Sequence, residues 1–281
     1  MHIRPIPPPL QTPPTPPSSS TTPPFPTRPY HPRHPSFPYT PADFTRQDES
    51  PDPTFYSTPR FVTHIDDHAI SLLGTYYEHA LPPRGRILDF CCSWISHLPP
   101  ALESAARAST QADTPPDRAL EVTGLGINDE ELAANPVLRH RILQDLNRNP
   151  TIPDAIPPLD AATCVVSVDY LTAPRQVLAS LLARMKPGGA VHLVVSNRCF
   201  PTKVVGRWLS VGEEERLQMV GDYLWWAGWR EVEIVTVCDG KGEGEEVGVD
   251  GVVLGGRVDP LWVVRGRKVE GGEREGREVG V

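Results

Sequence analysis

Residues 162–168 read Ala-Thr-Cys-Val-Val-Ser-Val, an almost unbroken apolar run with no alternation. A strand covered on one face alternates. A run like this one suits a strand buried on both faces, as in a parallel sheet sandwiched between helices. Parallel neighbours need long crossovers, and the surrounding sequence provides them. Ala173 to Met185 sets Val177, Leu178, Leu181, Leu182 and Met185 on one helical face. Lys186-Pro187-Gly188-Gly189 then turns into a second apolar strand, Ala190 to Val195. Upstream, Arg86 to Phe90, Ala119 to Leu125 and Arg141 to Gln144 read as further strands. Helical stretches at about Pro100 to Ala108 and at Asp129 to Ala134 separate them. A helix over Phe61 to Leu81 comes first, with Thr63 and Asp66 as its capping arrangement and Pro82-Pro83 as its stop. Helices over Thr202 to Leu209 and Val211 to Trp226 follow the last parallel strand, the second with Ser210 and Glu213 as a capping box. Glu231 to Val237 and Leu261 to Arg265 alternate as strands with no helix between them, so they pair antiparallel. The expected fold is an α/β three-layer sandwich around a seven-stranded, mostly parallel sheet with its last strand antiparallel.

The ends are of a different kind. Nineteen of the 34 prolines precede Phe61, in a segment with few aliphatic residues. Such composition buries too little apolar surface to offset the entropy of ordering it, so residues 1–60 are expected to be disordered. Their proline motifs could dock SH3 or WW modules. Arg4, Arg28 and Arg33 precede the first acid, Asp43, as in an organellar transit peptide, but proline at this density breaks the amphipathic helix such peptides form. The folded domain is expected over 61–268, with a mobile Gly/Glu-rich insert at 239–258 and a disordered charged tail at 269–281. A net charge of −8 argues against a general nucleic-acid binder. No apolar run approaches the roughly 20 residues of a membrane span. Five cysteines without CxxC spacing read as reduced thiols, which fits the cytoplasm or nucleus.

The chemistry-bearing stretch is Arg84 to Pro99, Arg-Gly-Arg-Ile-Leu-Asp-Phe-Cys-Cys-Ser-Trp-Ile-Ser-His-Leu-Pro. An apolar strand reaches Asp89, and a run of small residues follows. The stretch resembles the first motif of the class I S-adenosylmethionine-dependent methyltransferases, an apolar strand ending in Asp or Glu-x-Gly-x-Gly-x-Gly. Asp89 falls on the acid, while Cys91, Ser93 and Ile95 fall on the glycines. Other landmarks agree in order. Leu182 to Leu193 looks like the family's Leu-Lys-Pro-Gly-Gly turn and strand. Ile142-Leu143-Gln144-Asp145-Leu146 looks like the segment whose Asp meets the adenine amino group. Leu159-Asp160-Ala161-Ala162 resembles the approach to strand four.

The resemblance implies a Rossmann-like methyltransferase fold, S-adenosyl-L-methionine as cofactor and a small-molecule acceptor. It places Asp89, Cys91 and Ser93 at the cofactor's methionine end and Asp145 and Leu146 at the adenine, and it counts Val168, at the edge after strand four, among the cofactor-binding residues. Gly126 stands where the family keeps an acid for the ribose hydroxyls, with Asn128 near enough to bond a hydroxyl instead. Direct methyl displacement needs positioning and sometimes a base. Asp169 and Tyr170, at the carboxyl edge after strand four, and His64, in the segment before strand one, are the candidate catalytic groups. His64 and His68 have an i, i+4 spacing that can bind a metal, but acids at a helix N-terminus favour a solvated face, and no metal is assigned. The alternative is a methyltransferase-like fold without catalysis, serving as a binding or interaction protein.

Overall fold

The computed structural model describes residues 25–111, 119–240 and 258–270. Parallel strands β2 (Gly85–Phe90), β3 (Leu120–Gly126), β4 (Leu138–Leu143), β5 (Leu159–Val165) and β6 (Met185–Ser196) form the centre of one sheet. The antiparallel strands β7 (Arg230–Cys238) and β8 (Leu261–Arg267) extend one side. A short strand, β1 (Thr27–Pro29), pairs antiparallel with β7 at the outer edge. The order is β1-β7-β8-β6-β5-β2-β3-β4. Without β1 it is the seven-stranded order of the Rossmann-like methyltransferase fold. Every residue of β3 is buried, as is β6 from Ala190 to Ser196, the two-sided burial that their apolar runs require.

Helices α2 (Asp67–Ala80), α3 (Pro100–Gln111), α4 (Asp129–Ala134), α5 (Pro174–Arg184), α6 (Gly206–Ser210) and α7 (Glu213–Trp226) flank the sheet, and α1 (Asp52–Phe55) is one short turn before them. Two buried clusters result. One packs Leu178, Leu181, Tyr223 and Trp229 against the sheet. The other packs Leu73, Tyr77, Leu102 and Ala106 against it.

Several local expectations are corrected. The α2 cap is Asp66, whose carboxylate accepts from the Ala69 N–H at 2.8 Å, rather than Thr63. Gly212, not Ser210, caps α7, and no side chain bonds there. Lys186 to Gly189 is drawn into β6 as an irregularity in its pairing with β5, with Gly188 at φ +77°. Strand β5 ends at Val165, three residues before the expected Val168. Val166 turns into the left-handed region at φ +41°, and Val168–Tyr170 forms a 3-10 turn.

The largest correction concerns the disorder expected over residues 1–60, of which 1–24 lie outside the described residues. Residues 25–60 form a strap along the sheet edge and over α7. Tyr30 N–H donates to Val232 O and Thr236 N–H to Pro26 O, both at 2.9 Å. The Tyr30 and Tyr39 hydroxyls both donate to the carboxylate of Asp222, itself 1% exposed. The Tyr30 ring lies where a side chain at position 221 would project. A Cβ on Gly221 would come within 2.2 Å of it. Arg46 pairs with Asp52 at 2.8 Å, and the buried Lys203 ammonium lies 3.3 Å from the same carboxylate. Aromatic residues anchor the strap, and a count of aliphatics overlooks them. The insert and tail expected to be mobile fall mostly on 241–257 and 271–281, outside the described residues.

Candidate functional site

From β2 the chain runs outward through β3 to β4 and returns on the other side of β2 as β5. Open α/β sheets bind ligands beyond the strand carboxyl ends at such a reversal. A cavity of about 320 Å³ lies there, within the range of roughly 300–1,000 Å³ usual for ligand pockets.

Its floor is the turn after β2. Cys92 N–H donates to Leu125 O at 2.9 Å, holding the turn against β3. Asn135 Nδ2 donates to Ser93 O at 3.0 Å and to Ser96 Oγ at 2.9 Å. Ser96 Oγ donates in turn to Asp89 Oδ2 at 2.7 Å. This lattice carries two non-glycine residues in the left-handed region, Cys91 at φ +55° and His97 at φ +52°. Such conformers persist only where the surroundings fix them. Cys91 thus adopts a conformation that glycine would take freely. Asp89 is 4% exposed. Burial raises its carboxyl to about 6, with the Ser96 hydroxyl the largest opposing influence.

Gly126, at the end of β3, lines the cavity, and a Cβ there would stand 2.2 Å from Cys92 O. The close passage of the first turn therefore excludes the acid usual at this place. Another acid is near. Glu131, in the first turn of α4, lines the cavity and accepts the Arg60 N–H at 2.7 Å. Burial raises its pKa. At the next strand end Asp145 accepts the Asn147 and Arg148 N–H groups through Oδ1, at 2.8 and 3.2 Å, and Leu146 packs beside it.

Of the candidate site residues, Asp89, Cys91, Ser93, Gly126, Asp145 and Leu146 line this cavity, and His64 and Tyr170 line it with them. Three expected residues lie elsewhere. Asn128 caps α4, accepting Glu131 N–H at 3.0 Å and donating to Tyr56 O at 2.8 Å, so both ends of its amide are engaged. Val168 sits in the core at 1% exposure. Asp169 is buried behind the cavity wall, its Oδ2 without a hydrogen-bond partner among the described residues. Burial raises its carboxyl to about 8. Both displacements follow from the early end of β5, which puts Val165, Val166 and Ser167 at the cavity instead.

Tyr170 Oη accepts the Phe200 N–H at 2.7 Å, and burial, with the charge of Asp169, raises its pKa. His64 packs edge-on against Phe200, and burial lowers its pKa, with Arg60 adding to the effect. His97 was not singled out by sequence. It lines the cavity with its Nδ1 unpartnered among the described residues, and burial lowers it to about 4, with His64 contributing. Arg60, Tyr56 and Glu131 were missed as well. Only the position of Glu131 two residues into an expected helix at a strand's carboxyl end could have flagged it. Among the described residues no group of three His, Cys, Asp or Glu side chains could hold a metal ion, and no helix is long and apolar enough to cross a membrane.

The order of the seven main strands, the double antiparallel end and the cavity at the β2/β5 reversal decide the architecture. The chain has the class I methyltransferase fold. No family model matches the sequence, and no curated protein does. Solved structures similar to this methyltransferase-like chain include the [4+2]-cyclase SpnF, at 16% identity and TM-score 0.48, covering 77% of this chain and 90% of that one. A SAM-dependent methyltransferase from Archaeoglobus fulgidus aligns at 15% identity and TM-score 0.43, covering 71% of this chain and 94% of its own. An N-methyltransferase from Haemonchus contortus, in complex with phosphomonomethylethanolamine and S-adenosylhomocysteine, aligns at 11% identity and TM-score 0.42, covering 73% of this chain but only 53% of that one. Likeness at this level carries no information on substrate.

Proposed function

We propose that the chain is an S-adenosylmethionine-dependent methyltransferase acting on a small-molecule acceptor. The observation that carries the reading is the convergence of Asp89, Asp145, Leu146 and Glu131 on one cavity at the carboxyl ends of β2, β3 and β4.

The donor set suits the cofactor. Asp145 spends Oδ1 on its own turn, which leaves Oδ2 for an amino group, and the Leu146 N–H is without a bond among the described residues. Glu131 offers the carboxylate for ribose hydroxyls that Gly126 lacks. Asp89 places negative charge at the β2 end, suited to a cationic ligand. When bound, S-adenosylmethionine supplies an electrophilic methyl group. The chain's own residues position the acceptor and manage its proton. With burial holding its pKa near 4, His97 is neutral at physiological pH and lines the cavity without charge. Tyr170 Oη, fixed by Phe200, can donate into the cavity. The free thiols at all five cysteines fit a cytoplasmic or nuclear location.

A second reading, a methyltransferase-like fold without catalysis, draws on the replacement of the first motif's glycines by Cys91, Ser93 and Ile95. Calorimetric titration with S-adenosylmethionine and S-adenosylhomocysteine separates the two. Saturable binding of both supports the first, and an absence of heat with either supports the second.

A further inference from the structure

The charges around the cavity come from different elements, and they meet at Glu131, whose carboxylate accepts the Arg60 backbone N–H at 2.7 Å. The cavity's acids Asp89, Glu131 and Asp145 stand at the carboxyl ends of β2, β3 and β4. Its cations come from the strap and from the segment after β6. Asp52 also lines the wall, but Arg46 and Lys203 neutralise it. Arg198, on the cation side, is held by Asp259 at 2.7 Å.

Arg60 differs from all of these. Among the described residues its guanidinium has no carboxylate within ion-pair distance, and its one side-chain hydrogen bond runs from Nη2 to Phe55 O at 3.2 Å. Its Cζ lies 4.7 Å from the centroid of Phe55, 5.6 Å from that of Tyr56 and 5.3 Å from that of Phe200. The rings fix the plane of the fork and leave most of its five N–H donors unspent. A planar guanidinium of this kind pairs bidentately with a carboxylate. Phe200 and Tyr170, with ring centroids 6.1 Å apart, offer an apolar wall beside it.

We propose that this end of the cavity binds an aromatic carboxylate, with Arg60 gripping the carboxylate and the Tyr170–Phe200 wall packing the ring. The inference deepens the methyltransferase reading by naming the acceptor's chemical class, and it rests on that reading only for the role of acceptor. A carboxylate seated here also places negative charge in a cavity shared with His64 and His97, which favours a proton on either imidazole.

Binding tests the proposal without turnover. The full-length protein is titrated in a calorimeter with sodium benzoate, with benzamide as the uncharged isostere and with acetate as the carboxylate without a ring. Benzoate is expected to bind at least about tenfold more tightly than either control, the scale of a charge-assisted hydrogen bond. Arg60→Gln should weaken benzoate by roughly 10- to 100-fold, with Arg60→Lys between it and the wild type. Benzoate binding no tighter than benzamide, or no heat at all from benzoate, overturns the proposal, and this wild-type comparison stands even if a variant fails to fold. Equal benzoate affinity in Arg60→Gln also overturns it. S-adenosylhomocysteine, titrated separately, reads the donor side. Its binding without benzoate would sink the subsite and keep the methyltransferase reading, and benzoate binding without it would do the reverse.

Discussion

The two sides of the cavity are built by different means. The side proposed for the methyl donor consists of strand ends and the turns that leave them, namely Asp89, Gly126 and Asp145–Leu146, placed by a sheet whose apolar runs dictate their own burial. The side proposed for the acceptor is made of irregular chain, with Arg60 and His64 before α2 and Tyr170 and Phe200 in connections after β5 and β6. A sheet edge fixes backbone position, so a residue's place follows from its count along the strand. Irregular chain is fixed by individual contacts, here an aromatic and ionic web tied to the strap through Asp222 and Lys203. The donor side should therefore tolerate loss of the strap better than the acceptor side does.

Removing residues 1–48 gives the largest expected effect. It takes away both phenols that satisfy Asp222 and the Arg46 partner of Asp52. Stranding a buried charge costs about 3–5 kcal/mol, and each kcal/mol shifts a domain of this size by roughly 2–4 °C. The melting temperature is thus expected to fall by about 6–20 °C. A change under about 2 °C in a thermal melt would show the strap to be a passive cover.

Gly126→Ala comes next and strikes the donor side. Its new Cβ meets backbone, at Cys92 O, which cannot move aside as a flexible side chain can. A loss of about 3 kcal/mol, the upper part of the usual range for overpacking, is expected in chemical denaturation. A neutral result would mean that the turn after β2 is loosely held.

Asp169→Asn probes the wall between the two sides through pH. Burial raises this carboxyl to about 8, against about 3.9 in an unfolded chain. The native state therefore holds the proton more tightly. The group's contribution is fully present below about pH 4 and is lost as pH rises towards 8. Asn carries no such charge, so the variant should gain on the wild type as pH rises from 5 to 9. Parallel curves across that range would place Asp169 in a wetter site than the structure shows. Asn128→Ala has the smallest expected effect, about 1 kcal/mol of stability from the lost α4 cap. A large fall in cofactor affinity with no change in stability would return Asn128 to the ribose.

What the sequence disclosed follows the same division. Runs buried on both faces announce β3, β5 and β6, and the acids at the ends of β2 and β4 could be counted off the apolar stretches. Residue 169 was misplaced because the apolar run continues to Val168 while the strand stops at Val165, where the chain enters a left-handed turn. Composition cannot register such a break. The strap was hidden because three paired residues, one of them Pro29, give no periodicity, and because Tyr30, Phe37, Tyr39 and Phe44 anchor a segment otherwise rich in proline. His97 and Arg60 owe their place to conformation and contacts rather than to spacing.

The most direct test is calorimetric titration of the wild type and Asp145→Ala with S-adenosylmethionine and S-adenosylhomocysteine, carried into the millimolar range. Losing one partner of a buried hydrogen bond costs roughly 1–3 kcal/mol, or about 5- to 150-fold in affinity. Saturable binding of both ligands to the wild type, weakened by that factor in Asp145→Ala with the fold intact, is the expected result. No heat from either ligand with the wild type would contradict the methyltransferase reading and leave the cavity to another ligand.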